Sequence, residues 1–172
     1  MGRTTINDVF TKEDWKKYNE YANMLKRDLK VSKLPKEKQE EIFNVLAYHE
    51  QMRMATNRIG AERNALIDQQ IKINEQYKIE PSDAKARKLA EEHRKLGVKA
   101  EELNKERNYF LQKFHETSAR AVSLDNELTE ALIKQGYKIG KDGRARKGEN
   151  ERHSHRVYTK TRSKKPESTR KM

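Results

Sequence analysis

The side chains with the most recognisable chemistry in this sequence are the basic residues of its C-terminal part. Residues 138–172 hold 13 Lys and Arg against 4 acidic residues, whereas residues 1–137 hold 26 against 23, within a formal net charge of +12. Cations spaced along an extended segment can each neutralise a phosphate, and the release of counterions gives affinity without sequence preference. The candidate nucleic-acid-binding residues are Lys138, Lys141, Arg144, Arg146, Lys147, Arg152, Arg156, Lys160, Arg162, Lys164 and Lys165. We predict contact with nucleic acid, in the first place non-specific contact with duplex DNA.

The alternative is that this basic segment docks on an acidic protein surface or only keeps the chain soluble. If the segment does not bind nucleic acid, the next basic surface to consider is formed by Lys16, Lys17, Lys26 and Arg27.

Metal and catalytic chemistry are not predicted. His153 and His155 lie between arginines, while a closed metal site usually has four ligands held rigidly. The chain has no cysteine, and its carboxylates follow the i to i+4 pattern of solvated helix faces. Neither a glycine-rich phosphate loop nor a nucleophile with a neighbouring base is present. We therefore predict a protein that is not an enzyme and needs no cofactor or metal.

The composition indicates which elements position these residues. The chain is 33% hydrophobic and 38% charged, with seven Gly and three Pro. Long helices joined by a thin apolar seam satisfy such a composition, because most of each helix surface can remain charged. No run of about 18 apolar residues and no signal-peptide core is present, so we expect no membrane partner and a cytoplasmic location.

Residues 1–35 are predicted to form a region with one amphipathic helix. Thr11 is placed as N-cap, with Phe10 and Trp15 as a hydrophobic staple. The apolar stripe of this helix continues through Trp15, Tyr18, Ala22, Leu25 and Leu29. Pro35 should end the helix, because the residue before a proline avoids the helical region.

Residues 36–136 are predicted to form an antiparallel coiled-coil hairpin of two long helices that meet at Pro81. The second helix carries one heptad series and a mixed companion series: Val45, Met52, Ile59, Leu66 and Ile73, with Ile42, His49, Thr56, Arg63, Gln70 and Tyr77. The third helix repeats the pattern: Leu89, Leu96, Leu103, Phe110, Thr117, Leu124 and Ala131, with Ala86, His93, Ala100, Arg107, Phe114, Ala121 and Leu128. The heptads leave the register open. Ser82 or Asp83 should cap the third helix, and Gly136 should end it in a left-handed conformation.

Polar residues within this seam can select its register, as they do in coiled coils. We expect the stems of Arg63 and Arg107 to lie across the seam with their heads in solvent. His49 and His93 should be packed at the seam with their nitrogens bonded locally.

The two edges of the seam differ. One edge is charged and is expected to face water: Lys85, Glu92, Lys99, Glu106, Lys113, Arg120 and Glu127. The other edge is apolar or small: Leu46, Gly60, Ile67, Ala90, Gly97, Leu111 and Leu132. We expect the helix of residues 12–30 to cover this second edge. Gly60 and Gly97 would permit close approach of another helix there, or are simply tolerated at exposed positions. Residues 137–172 are predicted to be a flexible basic tail, with a small hairpin at the Asp142-Gly143 step.

A short N-terminal helix, a long heptad hairpin and a basic C-terminal tail together resemble the small terminase subunits of tailed bacteriophages. The resemblance covers about residues 40–172 and is one of architecture. It implies a ring-forming, non-catalytic adaptor that assembles through its hairpin and holds viral DNA for the packaging ATPase, in the cytoplasm of the host. The competing hypothesis is a scaffolding or capsid-associated protein whose tail docks on an acidic protein.

Overall fold

The protein is all-α over most of its length, as predicted. The computed structural model describes residues 2–139, 145–147 and 150–151. It has four helices within these ranges: α1 (Ile6–Val9), α2 (Lys12–Ser32), α3 (Lys36–Ile79) and α4 (Asp83–Lys134). Three short strands follow: β1 (Lys138–Ile139), β2 (Ala145–Lys147) and β3 (Asn150–Glu151). No helix in the described ranges combines the length and the apolar character that a bilayer crossing needs.

The chain divides into two compact units, each of which contains part of α3 and part of α4. The first unit combines residues 1–11 with 52–114, and the second combines residues 12–51 with 115–172. Each unit is described separately below.

The second unit is built around a core to which α2, α3 and α4 all contribute. Its buried members are Tyr21, Leu25, Leu29, Ile42, Leu46, Ala121, Leu124, Leu128 and Leu132. The stripe of α2 therefore packs on the edge that carries Leu46 and Leu132, as expected, and Tyr21 also donates a hydrogen bond from its hydroxyl to the Leu46 carbonyl (3.4 Å). Each fully buried large apolar side chain stabilises the fold by about 1.5–3 kcal/mol. Trp15 lies at the margin, half-buried, with its ring edge-on to Tyr18.

The end of α2 is fastened by side-chain hydrogen bonds. Ser32 donates from its hydroxyl to the Leu29 carbonyl (2.5 Å) and accepts from the Leu34 amide (3.2 Å). Gln39 donates from its side-chain amide to the Leu34 carbonyl (2.8 Å). Between them the backbone of Lys33 has a φ of 62 degrees. This is the left-handed region that glycine adopts without strain. The chain thus turns sharply before Pro35 and enters α3.

The first unit is a pair of helical segments whose seam follows the predicted heptads. Met52, Ile59, Ala100 and Phe110 are buried at seam positions, and Thr56 is buried with its hydroxyl donating to the Met52 carbonyl (2.8 Å). Nearer the turn the seam leucines and isoleucines are only half-buried: Leu66, Ile73, Leu89, Leu96 and Leu103. Tyr77 is the exception to the predicted pattern, because it is 46% exposed.

Two interhelical hydrogen bonds establish the antiparallel register that the heptads alone left open. Arg63 donates to the Asn104 side-chain oxygen (2.8 Å), and Gln70 donates to the His93 carbonyl (3.0 Å). From Arg63 to Gln70 the α3 residue lies closer to the turn, and from Asn104 to His93 its partner on α4 does too, as expected for antiparallel helices.

The break at Pro81 is confirmed. Helix α3 ends at Ile79 and α4 begins at Asp83. Of the two predicted caps, Ser82 has the cap geometry, since its hydroxyl accepts from the Lys85 amide (3.4 Å). The Ser82 amide in turn donates to the Glu80 carboxylate (3.1 Å).

The end of α4 is also as predicted. Gly136 has a positive φ, in the left-handed half of backbone space. The Tyr137 amide donates to the Leu132 carbonyl (3.0 Å) and the Gly136 amide to the Ile133 carbonyl (2.9 Å), which is the Schellman pattern. Beyond it β1 pairs antiparallel with β2 on either side of the predicted Asp-Gly step, and β2 pairs with β3, which the sequence did not predict. The predicted flexibility concerns tail residues that lie largely outside the described ones.

The charged edge of the seam differs from the prediction near Glu106. Arg3 donates from its backbone amide (3.0 Å) and its Nε (2.8 Å) to the Glu106 carboxylate, and from Nη2 to Glu62 (2.6 Å). Val9 and Phe10 of the same N-terminal segment are buried. Part of this edge is therefore covered by protein, which the sequence did not indicate because α1 has only four residues.

The two glycines of the small edge also have a different role from the one expected. A Cβ on Gly60 would lie 3.4 Å from the Arg107 Nε, and one on Gly97 would lie 2.9 Å from the Gln70 side-chain nitrogen. The space that the glycines leave is thus filled by long polar side chains of the seam rather than by another helix.

Candidate nucleic-acid interface

Three of the eleven predicted tail residues lie within the described part of the chain. Lys138 is exposed on β1, two residues after Gly136, and Arg146 and Lys147 are on β2. The remaining predicted residues lie outside the described ones: Lys141, Arg144, Arg152, Arg156, Lys160, Arg162, Lys164 and Lys165. The structure therefore brings together only Lys138 and Arg146, whose Cα atoms are paired across the β1–β2 ladder. Arg146 is also paired with Glu151 of β3.

A second basic surface lies on the second unit. It is formed by the exposed residues Lys26, Arg27, Lys30, Lys33 and Lys36. Within residues 26–36 the only acidic residue is Asp28, which is half-buried. We call these five residues the α2 basic surface. The sequence analysis named Lys26 and Arg27 but not the other three residues. The density of five cations within eleven residues could have indicated all of them.

A groove of about 510 Å³ adjoins the α2 basic surface. Its lining residues are Lys26, Leu29, Lys36, Gln39, Glu40, Phe43 and Asn44. The Lys26 ammonium lies 5.3 Å from the centroid of the Phe43 ring. This separation is within the range of a cation–π contact, and the Phe43 side chain is half-buried. The groove thus combines cations, side-chain amides and one aromatic wall.

One acidic residue in the neighbouring part of α3, Glu41, is engaged in ion pairs. Glu41 accepts from Arg120 (2.6 Å) and pairs with Lys38 (3.0 Å), and Lys38 also reaches Glu127 (3.4 Å). The hydrogen bond from Arg120, and then that from Lys38, lowers the pKa of the Glu41 carboxyl below its ordinary value, while the bond to Glu41 raises the pKa of Lys38. Glu37 and Glu40 remain exposed beside the α2 basic surface.

The packing expected of the seam histidines is confirmed for His49. His49 is 6% exposed, and its Nδ1 lies 2.9 Å from the Thr117 hydroxyl. His93 is half-buried. Within the described ranges no group of three or more His, Cys, Asp or Glu side chains has a geometry that could hold a metal ion.

The Arg63 side chain in the first unit is more enclosed than expected. Arg63 bonds to Asn104 and Asn64, and its Nε is buried, so its head does not simply reach solvent.

In the second unit, the pKa of the Tyr18 hydroxyl is raised above its ordinary value, mainly by burial. A hydrogen bond with Gln51 lowers this pKa, and the charge of Glu50 raises it further.

Comparison with known proteins gives no relative, since no family model, no curated protein and no solved structure matches this chain.

Proposed function

We propose that this protein is a non-catalytic nucleic-acid-binding adaptor, which assembles through its helical hairpin and grips phosphates with the basic residues after α4. The observation that carries the proposal is the distribution of charge: residues 138–172 hold 13 basic against 4 acidic residues, in a chain whose other residues are nearly balanced. Such a segment gives electrostatic, sequence-independent affinity for a polyanion.

The local structure supports this assignment in two ways. The helix ends in a Schellman motif, and Lys138, the first of the predicted basic residues, is exposed two residues after Gly136. The ladder then places two of the predicted residues, Lys138 and Arg146, at paired positions.

The proposal is tested by titrating duplex DNA at several salt concentrations against the full chain and against a variant in which the eleven predicted basic residues are replaced by Gln. If about five phosphates are engaged, the slope of log K against log salt should be near −4 to −5 for the full chain and nearly flat for the variant. A scrambled tail of the same composition should bind almost as well, because phosphate contacts do not read bases.

Undiminished DNA binding by the Gln variant would contradict the proposal. Retained binding of the full chain to an acidic protein, with no affinity for DNA, would instead favour the assembly role.

The place in viral DNA packaging that the terminase resemblance implies belongs to the same proposal. Such a packaging role requires that the protein form a closed oligomer. Exposed apolar residues on α3 and α4, such as Ile67, Ile71 and Val98, are compatible with self-association. Native mass spectrometry should then show one discrete oligomer. A strictly monomeric protein at working concentration would exclude a ring.

A further inference from the structure

Interaction with helix dipoles explains only part of the α2 basic surface. Lys30, in the last turn of α2, has the ordinary role of offsetting the helix dipole. Lys36, however, is the first residue of α3, and a cation is disfavoured at a helix N-terminus. The dipole of α2 therefore explains part of this surface only.

Lys33 gives a second, independent indication. Its φ is positive, in the left-handed region, where a side chain with a Cβ is strained and glycine would fit at less cost. A left-handed residue is common directly after a helix, but a lysine there in place of glycine carries strain, which points to a use of its side chain. Lys33 is exposed, so packing does not account for it.

The cations follow one another closely from the end of α2 into α3. Lys26 and Lys30 are four residues apart on one face of α2, and Lys33 follows in the turn directly after the helix. Lys36 is the first residue of α3, and both Lys26 and Lys36 line the groove of about 510 Å³.

The groove itself has the features of a nucleotide subsite. Phe43 lines it and supplies a ring on which a base can stack, which is the usual platform for unpaired bases beside a basic channel. Asn44 adds a side-chain amide at the exposed rim. Glu40 is the acidic member of the lining and can accept from a base amino group.

We propose that the α2 basic surface and the Phe43 groove bind single-stranded nucleic acid, with consecutive phosphates on Lys30, Lys33 and Lys36 and one base against the Phe43 ring. A bound phosphate would also draw the Lys26 ammonium from the ring towards the backbone. This site deepens the proposed function, on which it rests for the class of partner, and is separate from the tail.

The test uses full-length protein in which the eleven tail residues are already Gln, so that it reports on this surface alone. The probes are a thymidine oligonucleotide and a duplex of the same length. Replacing Lys30, Lys33 and Lys36 by Gln should reduce the slope of log K against log salt on the single strand by about 2, at roughly 0.7 per phosphate contact. The matched control replaces the exposed residues Lys72, Lys95 and Lys105 by Gln and should leave the slope unchanged.

The variant Phe43→Leu keeps an apolar side chain but removes the stacking platform. It should weaken single-strand binding by the tail-Gln protein at least about fivefold, and introduced into the unmodified chain it should leave duplex binding unchanged. Equal losses on both probes would overturn the base subsite.

The variant Lys33→Gly separates a binding role from a structural one, because it should change stability and affinity in opposite directions. Relief of the positive φ should raise the melting temperature by about 2–4 °C, while affinity for the single strand falls. A variant that gains stability and keeps its affinity would overturn the role of Lys33. If the tail-Gln protein binds neither probe and the unmodified chain binds only through its tail, the α2 site is wrong while the proposed function stands.

Discussion

Glu41 illustrates how a single partly exposed residue ties helices together in the second unit. Its carboxylate accepts from Arg120 of α4 at 2.6 Å and also contacts Lys38 of its own helix. These partners lower its pKa, with Arg120 as the first cause. About a third of the Glu41 side chain is exposed. Solvent therefore screens the pair, and its contribution to stability is small.

The pH dependence of this pair has a definite sign. The pKa of Glu41 is lower in the folded state than its ordinary value of 4.5. The pair therefore stabilises fully above that ordinary value and is lost as the pH falls through the folded-state pKa. A carboxyl NMR titration should give a lowered pKa for Glu41. In the variant Arg120→Ala the pKa should return towards its ordinary value, and an unchanged pKa would show that Arg120 is not the cause.

Arg3 bridges carboxylates of both long helices in the first unit, Glu62 of α3 and Glu106 of α4. We expect Arg3→Ala to cost about 1 kcal/mol, since charge-assisted hydrogen bonds are lost but the site is partly open to water. Amide hydrogen exchange in Ile6–Val9 should become faster, and high salt should mimic the effect in the unmodified chain. Lys72→Ala, a charge change at an exposed position, should leave this exchange as it was.

At the scale of elements, the two glycines of the seam edge predict different outcomes for the same substitution. Gly60→Ala should stabilise by up to about 1 kcal/mol, because alanine favours the helix. The neighbouring Arg107 atom is at 3.4 Å, near the end of a flexible chain. Gly97→Ala should gain less or nothing, since its Cβ would lie 2.9 Å from the Gln70 nitrogen, which is bonded to the His93 carbonyl.

A double-mutant cycle checks this explanation. In a Gln70→Ala background the obstacle is gone, and Gly97→Ala should recover the gain seen at Gly60. If denaturant melts show equal effects of Gly97→Ala with and without Gln70, the side chain does not occupy the space as described.

The elements show how far sequence reasoning reached. Heptad spacing was enough for both long helices, and Pro81 and Gly136 marked their ends, because these signals are local backbone chemistry. The register was not predictable, since it depends on pairs such as Arg63 with Asn104, which lie far apart in sequence. The N-terminal contact through Arg3 was missed for the same reason, and the turn at Lys33 was missed because its residue type does not signal a positive φ.

At the scale of the whole molecule, burial is unevenly distributed between positions with the same hydrophobic character. Leu25 is fully buried in the core of the second unit, whereas Ile71 of the first unit is 55% exposed. Leu25→Ala should therefore cost about 3 kcal/mol through lost contacts and a cavity, and Ile71→Ala less than about 0.5 kcal/mol. Denaturant unfolding of the two variants measures this difference, and similar losses would contradict the burial pattern.

The candidate site was predictable only in part. The net charge of residues 138–172 was visible from composition, and Lys138 and Arg146 are now placed at paired positions of a ladder. The proposal for the α2 basic surface required the structure, because it rests on the φ of Lys33 and on the groove beside Phe43 rather than on charge alone.

The short turn between α3 and α4 has a consequence for how the chain folds in time. Contacts near this turn close small loops: Gln70 and His93 are 23 residues apart, whereas Arg120 and Glu41 are 79 apart. Loop-closure entropy makes the longer loop costlier by about 1 kcal/mol. We therefore expect pairing to nucleate beside Pro81 and to extend outwards, with the closing of the larger loop as the slower event.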